Sequence, residues 1–324
     1  MARARPSSRT LVALYGPTSS GKTALSLDLA ERVSRELGVE PVVVSADSRQ
    51  VYTHMDIGTS KTMPEQRRGV RHEMIDVAEP VRKFELDEYV RQARGHIEWC
   101  FQNAALPLVV GGTAVYVKSL LEGWEVDAVG AARASLRKDF PHSMADDAYA
   151  MLRRLDRTAA GRVHPNNYDG VINALARVMA GQGQDARRSD DDTRTVVLGL
   201  DRPARQLDAR VAETFGHQLA AGLHDEVQDL ADRYDLDTEM RRRGRHSGNQ
   251  VLRTHGYREF FEVAHEHGKR VGALTDAELG AVRDRVVATI QAYTRRQRAA
   301  FAKMPGLVRV RTAEDAFARI TGGR

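Results

Sequence analysis

The residues Gly16-Pro17-Thr18-Ser19-Ser20-Gly21-Lys22-Thr23 match the pattern GxxxxGK followed by Ser or Thr. Glycines let such a loop wrap until successive backbone N–H groups converge on phosphate oxygens, and the helix that follows adds its positive N-terminal end. The lysine supplies a point charge, and the hydroxyl after it can contact Mg²⁺. We therefore expect a phosphate site built from Gly16, Thr18, Ser19, Ser20, Gly21, Lys22 and Thr23.

The loop alone does not say what carries the phosphate. A kinase or ATPase needs a carboxylate at a strand end, but the segment that ends Val-Val-Gly-Gly-Thr at Thr113 offers none. Asp47 is the acid placed at a strand end, directly after the apolar segment 41–46. In a parallel sheet that edge faces the same crevice as the glycine-rich loop 16–23, which we call the P-loop. Asp47 could therefore accept a proton from an acceptor nucleophile. An aspartate there can also simply cap a turn.

The elements that must position these residues follow from the apolar pattern. Four apolar, β-branched segments without in-strand alternation predict buried strands at 11–15, 41–46, 106–113 and 195–200. Helical periodicity predicts helices at 86–102, 114–121, 145–155, 157–162, 169–181, 204–232, 250–268 and 275–302, with a basic loop at 241–245. Strands that alternate with helices predict an α/β fold, a P-loop NTPase-like parallel sheet flanked by helices. We assign the core to 1–123 and 195–324 and a helical insertion domain to 124–194.

Composition restricts the class of protein further. One cysteine in 324 residues excludes an internal disulfide and a thiolate zinc site. No apolar run approaches the roughly 20 residues that cross a bilayer, so we expect no membrane partner. The single cysteine favours the reducing cytoplasm as the location, and we expect a monomer. The formal net charge of +5 is compatible with an anionic partner and does not demand one.

Several motifs in register resemble the tRNA dimethylallyltransferase family, the adenine N6 isopentenyltransferases. They are GPTSSGKT (16–23), SADSRQVY (45–52), MDIGTSK (55–61), RHEMID (71–76), VVGGTAVYVKSLLEG (109–123), HPNN (164–167), LDARV (207–211), LAAGLHDEV (219–227), LRTHGYREF (252–260) and RRQ (295–297). The resemblance covers most of residues 10–303 and is weakest between 124 and 194. It implies transfer of a dimethylallyl group from dimethylallyl diphosphate to the N6 amine of an adenosine, with adenosine 37 of tRNA as the expected acceptor.

The resemblance also implies residue roles. The P-loop would hold dimethylallyl diphosphate and Mg²⁺ rather than ATP, with Thr23 reaching the metal through the diphosphate. Asp47 would be the general base on the adenine amine, Thr113 would contact the reacting groups from the opposite side, and Arg210 would pair with the diphosphate. On the acceptor side, Ser48, Arg49 and Gln50 would help to hold the adenine. Further residues that could serve tRNA are Arg253, Tyr257 and Arg258.

Departures from the family pattern concentrate on the acceptor side. The residues after HPNN, 168–173, lack the two arginines that the family usually has there, which removes expected phosphate contacts. Gln206 stands where the segment of Arg210 usually has its first arginine, and the Trp that usually follows RRQ is absent.

Three interpretations of the acceptor therefore stay open. In the first, the insertion 124–194 holds an anticodon stem-loop and the adenosine is flipped into the crevice. In the second, the acceptor is a free adenine nucleotide or another small amine, as in cytokinin-forming relatives. The third is a P-loop kinase or a non-catalytic phosphate-binding protein.

Overall fold

Residues 9–121, 126–180 and 193–322 are described by the computed structural model. The strands are β1 (Thr10–Tyr15), β2 (Pro41–Ser45), β3 (Arg71–Glu73), β4 (Leu106–Gly111), β5 (Arg194–Gly199) and β6 (Leu307–Arg309). The helices of the first half are α1 (Lys22–Leu37), α2 (Leu86–Gln102), α3 (Ala114–Leu121), α4 (Val126–Asp139), α5 (Ala145–Leu155), α6 (Arg157–Ala160) and α7 (Tyr168–Met179). Those of the second half are α8 (Ala204–Ala220), α9 (Leu223–Tyr234), α10 (Leu236–Arg243), α11 (Arg258–Glu266), α12 (Asp276–Phe301) and α13 (Ala313–Ile320).

The six strands form one sheet in the order β3-β2-β4-β1-β5-β6, and every neighbouring pair is parallel. β1 lies in the interior of the sheet, with Tyr15 in register with Gly111 of β4 and Gly199 of β5. The loops that follow β1, β4 and β5 therefore leave the same edge of the sheet. The predicted α/β, P-loop-type fold class is confirmed.

Burial explains why these segments are strands and helices. All six residues of β1 and all five of β2 are buried, as expected for strands covered on both faces. α1 places Leu25, Leu29 and Val33 at helical spacing in a core cluster with Val12 and Leu14 of β1. Packing of this helix against the sheet thus fixes the loop between β1 and α1. None of the helices in the described ranges is long and apolar enough to cross a bilayer.

The chain divides into two compact units. The first consists of Met1–Phe84, Gly95–Lys118 and Asp192–Arg324 and contains the sheet. The second consists of Glu85–Arg94 and Ser119–Asp191, and its helices α4 to α7 share an apolar cluster that includes Leu136, Leu152 and Ile172. This second unit differs from the range 124–194 assigned from sequence, because it begins earlier and takes in 85–94. Residues 124, 125 and 181–192 of that range lie outside the described residues.

Four local predictions differ from the structure. The helix expected at 250–268 is much shorter: α11 begins only at Arg258 and residues 251–253 form a separate 3₁₀ helix, because Thr254 is extended and Gly256 has a positive φ of 93°. The helix expected at 204–232 is two helices, because Gly222 adopts a left-handed conformation (φ 95°) between α8 and α9. The basic loop expected at 241–245 is wrong in part: residues 241–243 are the last turn of α10. The edge strands β3 and β6 were not predicted, since each has only three residues and its sequence, Arg-His-Glu or Leu-Val-Arg, has no buried apolar run.

Candidate active site

The P-loop runs from the end of β1 to the first residue of α1. Gly21 has φ 99° at the N-cap of α1, a left-handed conformation that glycine adopts without strain, and Ser19 has φ 62°. Ser20 N–H donates to the Pro17 carbonyl at 3.3 Å, which closes the turn. Gly16 packs against the Leu200 carbonyl with no room for a side chain. The loop thus has the wrapped backbone and the helix N-terminus that favour an anion.

Lys22 is the cation of this cradle. Its ammonium donates to the Pro17 carbonyl at 2.7 Å, within the loop itself. Desolvation lowers the pKa of Lys22 to about 8, and the negative charge of Asp47 partly opposes that change. A poorly solvated ammonium gains much by meeting an anionic oxygen, so Lys22 is suited to a phosphate ligand.

A cavity of about 270 Å³ opens in front of the loop. It brings together residues that sequence analysis had assigned to the diphosphate, to catalysis and to the acceptor. The predicted site residues that line it are Thr18, Ser19, Gly21, Lys22, Thr23, Asp47, Gln50 and Arg210. Phosphate-binding groups and a carboxylate therefore face one cavity.

Asp47 lies in a turn immediately after β2. One of its carboxylate oxygens accepts the Arg49 N–H at 2.8 Å, the turn contact that the sequence had left open as an alternative. The second oxygen has capacity left for a substrate proton. The turn contact and the proton-accepting role are thus compatible.

Thr113 lies next to this turn without lining the cavity. Its N–H donates to the Ala46 carbonyl at 3.2 Å, and its hydroxyl accepts the Ser48 N–H at 3.1 Å. The Ser48 hydroxyl lies 3.4 Å from the same oxygen. In this structure Thr113 therefore fixes the backbone on both sides of Asp47.

Two arginines reach the P-loop from the segment after β5. Arg210 Nε donates to the Ser19 carbonyl at 2.8 Å, as suits a residue expected to pair with a diphosphate in this loop. Arg202 Nε donates to the Ser20 carbonyl at 2.7 Å and was not predicted. Its sequence signal was its position, three residues after the end of β5.

Of the other residues predicted to bind the acceptor, Arg49 and Gln50 lie near Asp47, and Arg253, Tyr257 and Arg258 lie further along the chain. Near Asp47, Gln50 donates to the carbonyls of Thr59 and Ser60, and Arg49 donates to the Gln250 side chain at 3.4 Å. Arg253 is an exposed residue of the short 3₁₀ helix Val251–Arg253. The side-chain amide of Gln50 is thus engaged within the protein, whereas Arg253 is exposed to solvent.

Tyr257 and Arg258 are held by carboxylates. Tyr257 is fully buried, its ring lies against Gly58, and its hydroxyl donates to Glu226 at 2.6 Å. Arg258 pairs with Glu259 at 3.0 Å and with Glu262 at 3.1 Å. Neither residue lines the cavity.

Sequence reasoning missed two residues of α12. Gln297 hydrogen-bonds to the P-loop residue Thr18 and to Gly112. Tyr293, one turn earlier, has its pKa raised by burial and by the charge of Asp47. The RRQ motif at 295–297 carried part of the family resemblance, but nothing local showed which of its residues points toward the P-loop.

The fold and this site define a P-loop α/β protein in which a phosphate cradle faces a carboxylate. The family model for IPP transferase matches residues 50–304. The chain is 35% identical over 304 residues to the tRNA dimethylallyltransferase of Roseiflexus castenholzii, covering 92% of this chain and 91% of that one. It is 33% identical over 299 residues to the tRNA dimethylallyltransferase of Acidothermus cellulolyticus, covering 91% and 86%. The chain therefore belongs to the IPP transferase family.

Solved structures agree with this assignment. The full-length tRNA isopentenylpyrophosphate transferase of Bacillus halodurans matches with a TM-score of 0.64 at 26% identity, over 97% of this chain and 95% of that one. A eukaryotic dimethylallyltransferase acting on tRNA has the same fold, with a TM-score of 0.72 at 20% identity over 93% and 74% of the two chains.

Proposed function

We propose that this chain transfers a dimethylallyl group from dimethylallyl diphosphate to the N6 amine of an adenosine in tRNA, with adenosine 37 as the expected position. The observation that carries the proposal is that Lys22, Asp47 and Arg210 line one cavity in a member of the IPP transferase family. The names of its relatives, tRNA dimethylallyltransferases at 33–35% identity, support tRNA as the substrate.

The donor half of the reaction uses the P-loop. As the bond between the allylic carbon and the diphosphate oxygen breaks, negative charge develops on the departing diphosphate. Lys22, Arg210 and the backbone N–H groups at the start of α1 are arranged to stabilise that charge, and this stabilisation is usually the largest single contribution to catalysis.

The acceptor half uses Asp47. An exocyclic adenine amine is a poor nucleophile until its proton begins to leave. As the new nitrogen–carbon bond forms, that proton passes to the free oxygen of the Asp47 carboxylate. A positioned general base of this kind typically contributes about 10²–10⁴-fold.

The residues present fit a magnesium ion that is bound chiefly by the donor. Thr23 places a hydroxyl on the cavity wall, as the last residue of a P-loop does. The described ranges contain no group of three or more His, Cys, Asp or Glu that could hold a metal alone. We propose that Thr23 and the diphosphate hold Mg²⁺, which would neutralise part of the charge on the leaving group.

A free adenine nucleotide is the second candidate acceptor. The observation that favours it is the segment 168–173, which lacks the arginines expected after HPNN and forms the start of α7.

The monomeric state and the cytoplasmic location of the protein stay predictions.

One assay separates these candidates. Dimethylallyl diphosphate is offered in parallel with unmodified tRNA and with AMP, and ATP turnover is measured in the same preparation. We expect N6-prenylated adenosine in tRNA only. Product with AMP alone would contradict the tRNA proposal, and ATP hydrolysis coupled to phosphorylation of an acceptor would indicate a kinase.

Asp47→Asn tests the base within the same assay. The amide keeps the size of the side chain and can still accept the Arg49 N–H, but it cannot accept the amine proton. We expect kcat to fall by about 10²–10⁴-fold with little change in donor affinity. Near-normal turnover by this variant would rule out Asp47 as the general base.

A further inference from the structure

Gln297 joins two loops of the site that the sequence separates widely. Its side-chain carbonyl oxygen accepts the Thr18 N–H at 2.9 Å and the Thr18 hydroxyl at 3.0 Å. Its side-chain NH₂ donates to the Gly112 carbonyl at 2.9 Å. The residue is only 6% exposed, so water cannot readily replace these partners.

The partners fix the orientation of the Gln297 amide. The Thr18 N–H can only donate, and the Gly112 carbonyl can only accept, so a flipped amide would satisfy neither. Few side chains could take its place, because the position requires an acceptor and a donor at a fixed separation. An ionised carboxylate would lack the donor, and an apolar side chain would lack both.

Two of the hydrogen-bond partners of Gln297 lead to the two halves of the site. Thr18 belongs to the P-loop and lines the cavity. Gly112 precedes Thr113, whose N–H and hydroxyl bind the backbone at Ala46 and Ser48, on either side of Asp47. A side chain at Gly112 would meet the Gln297 NH₂ at 2.7 Å and the Gly16 carbonyl at 3.1 Å, so the loops are in close contact here.

We propose that Gln297 is a positioning residue that fixes the spacing between the diphosphate cradle and the loop of Asp47. The proposal rests on the function proposed above for the same site. Gln297 itself contacts Thr18 and Gly112 and is not assigned a contact with a reacting atom. It acts through Thr18 on the donor side and through Gly112 and Thr113 on the side of the base.

Gln297→Met and Gln297→Glu test the two hydrogen-bonding roles. Met preserves volume and removes both roles, and we expect kcat/KM to fall by about 100-fold, the loss typical of a displacement of about 1 Å in a reacting pair. Glu keeps the acceptor for Thr18 but, when ionised, lacks a donor for Gly112. We expect a loss at least as large for Glu at pH 8, because its charge also opposes the diphosphate.

Acid pH should rescue the Glu variant and not the Met variant. A protonated carboxyl group can accept from Thr18 and donate to the Gly112 carbonyl, as the amide does. Burial beside an anionic ligand raises the pKa of such a carboxyl group, so the activity ratio of Gln297→Glu to wild type should rise about tenfold or more between about pH 8 and pH 5.5. The ratio cancels other titrations that the two proteins share.

Gln291→Ala is the matched control, since Gln291 lies in the same helix. Its side-chain amide donates to the Asp208 carbonyl at 3.2 Å and has no hydrogen bond to the P-loop in the described residues. We expect less than a threefold change in its kcat/KM. Thermal unfolding of all variants identifies those that fail to fold. Losses in the Met variant no larger than in this control, or a pH-independent ratio for a folded Glu variant, would overturn the proposal.

Pyrophosphate binding separates failure of this proposal from failure of the proposed function. If wild type transfers no prenyl group to tRNA, the proposed function is wrong, and calorimetric binding of inorganic pyrophosphate still reports on the P-loop. We then expect Gln297→Met to bind pyrophosphate at least threefold more weakly than wild type and Gln291→Ala. Equal affinities would contradict the positioning role on the donor side.

Discussion

The environment of the Lys22 ammonium group favours the binding of an anionic ligand. In the structure the ammonium donates to the Pro17 carbonyl of its own loop, and desolvation lowers its pKa to about 8. A bound diphosphate would place strong anionic acceptors next to it and favour the protonated form. Above about pH 8, the charge of this residue should therefore depend on whether the site is occupied.

Donor affinity should consequently depend on pH. Below about pH 8 the free protein already carries a protonated Lys22, and affinity should be constant. Above that pH the protein must take up a proton on binding, so the dissociation constant for pyrophosphate should rise by up to about tenfold per pH unit. Calorimetry at pH 9 in buffers of different ionisation enthalpy should show uptake of nearly one proton.

Lys22→Arg is the control for this effect, because arginine stays protonated throughout the range. Its affinity at pH 7 can differ from that of wild type, but above pH 8 it should show only the pH dependence that comes from the ionisation of pyrophosphate itself. Proton uptake of the same size in this variant would assign the titration to another group.

At the level of elements, the site depends on how closely the ends of neighbouring strands approach one another. β2 and β4 are adjacent in the sheet, and Ala46 N–H donates to the Val110 carbonyl at 2.8 Å just beyond β2. A side chain at Gly111, the last residue of β4, would meet the Ala46 carbonyl at 2.1 Å. This approach holds the turn of Asp47 against the loop of Thr113.

Gly111→Ala should therefore destabilise the protein. Backbone atoms cannot move away as a flexible side chain can, and we expect the free energy of unfolding to fall by about 3 kcal/mol in urea titrations. Gly95→Ala is the matched control: Gly95 is an exposed glycine within α2 whose added Cβ would meet nothing within 4 Å. That change should raise stability by about 0.5–1 kcal/mol, and a similar gain at Gly111 would contradict the steric argument.

For the molecule as a whole, binding of tRNA must draw on exposed cations. The formal net charge is only +5, so individual basic residues matter more than the overall field. Arg253 is exposed, and its guanidinium makes no ion pair with the described part of the chain. It is thus available to a phosphate group.

Arg253→Ala should weaken tRNA binding at all tRNA sequences and lower the slope of log K against log salt by about 1. Arg285→Ala is the control, since the Arg285 guanidinium is already bound to Glu266 at 2.7 and 2.9 Å. It should leave the salt slope unchanged. Equal slopes for wild type and Arg253→Ala would exclude Arg253 from the phosphate contacts.

The sequence by itself determined what depends on neighbouring residues along the chain. The P-loop pattern and the apolar strands β1, β2, β4 and β5 are local features, and the structure has the four strands within a residue or two of the predicted bounds. The position of Asp47 at a strand end was enough to predict that it faces the same crevice as Lys22. Parallel strands make that prediction safe, because their carboxyl ends share one edge.

Tertiary structure alone decided which distant side chains complete the site. Gln297 binds Thr18 across 279 positions of sequence, and no periodicity or local motif encodes that contact. The same holds for Tyr257, which the sequence offered as an acceptor contact and which the structure buries against Gly58 with its hydroxyl on Glu226. Such long-range contacts form only when whole elements pack against one another. Packing, more than residue type, therefore determines which polar side chains of α12 and of the segment before α11 reach the loops of the site.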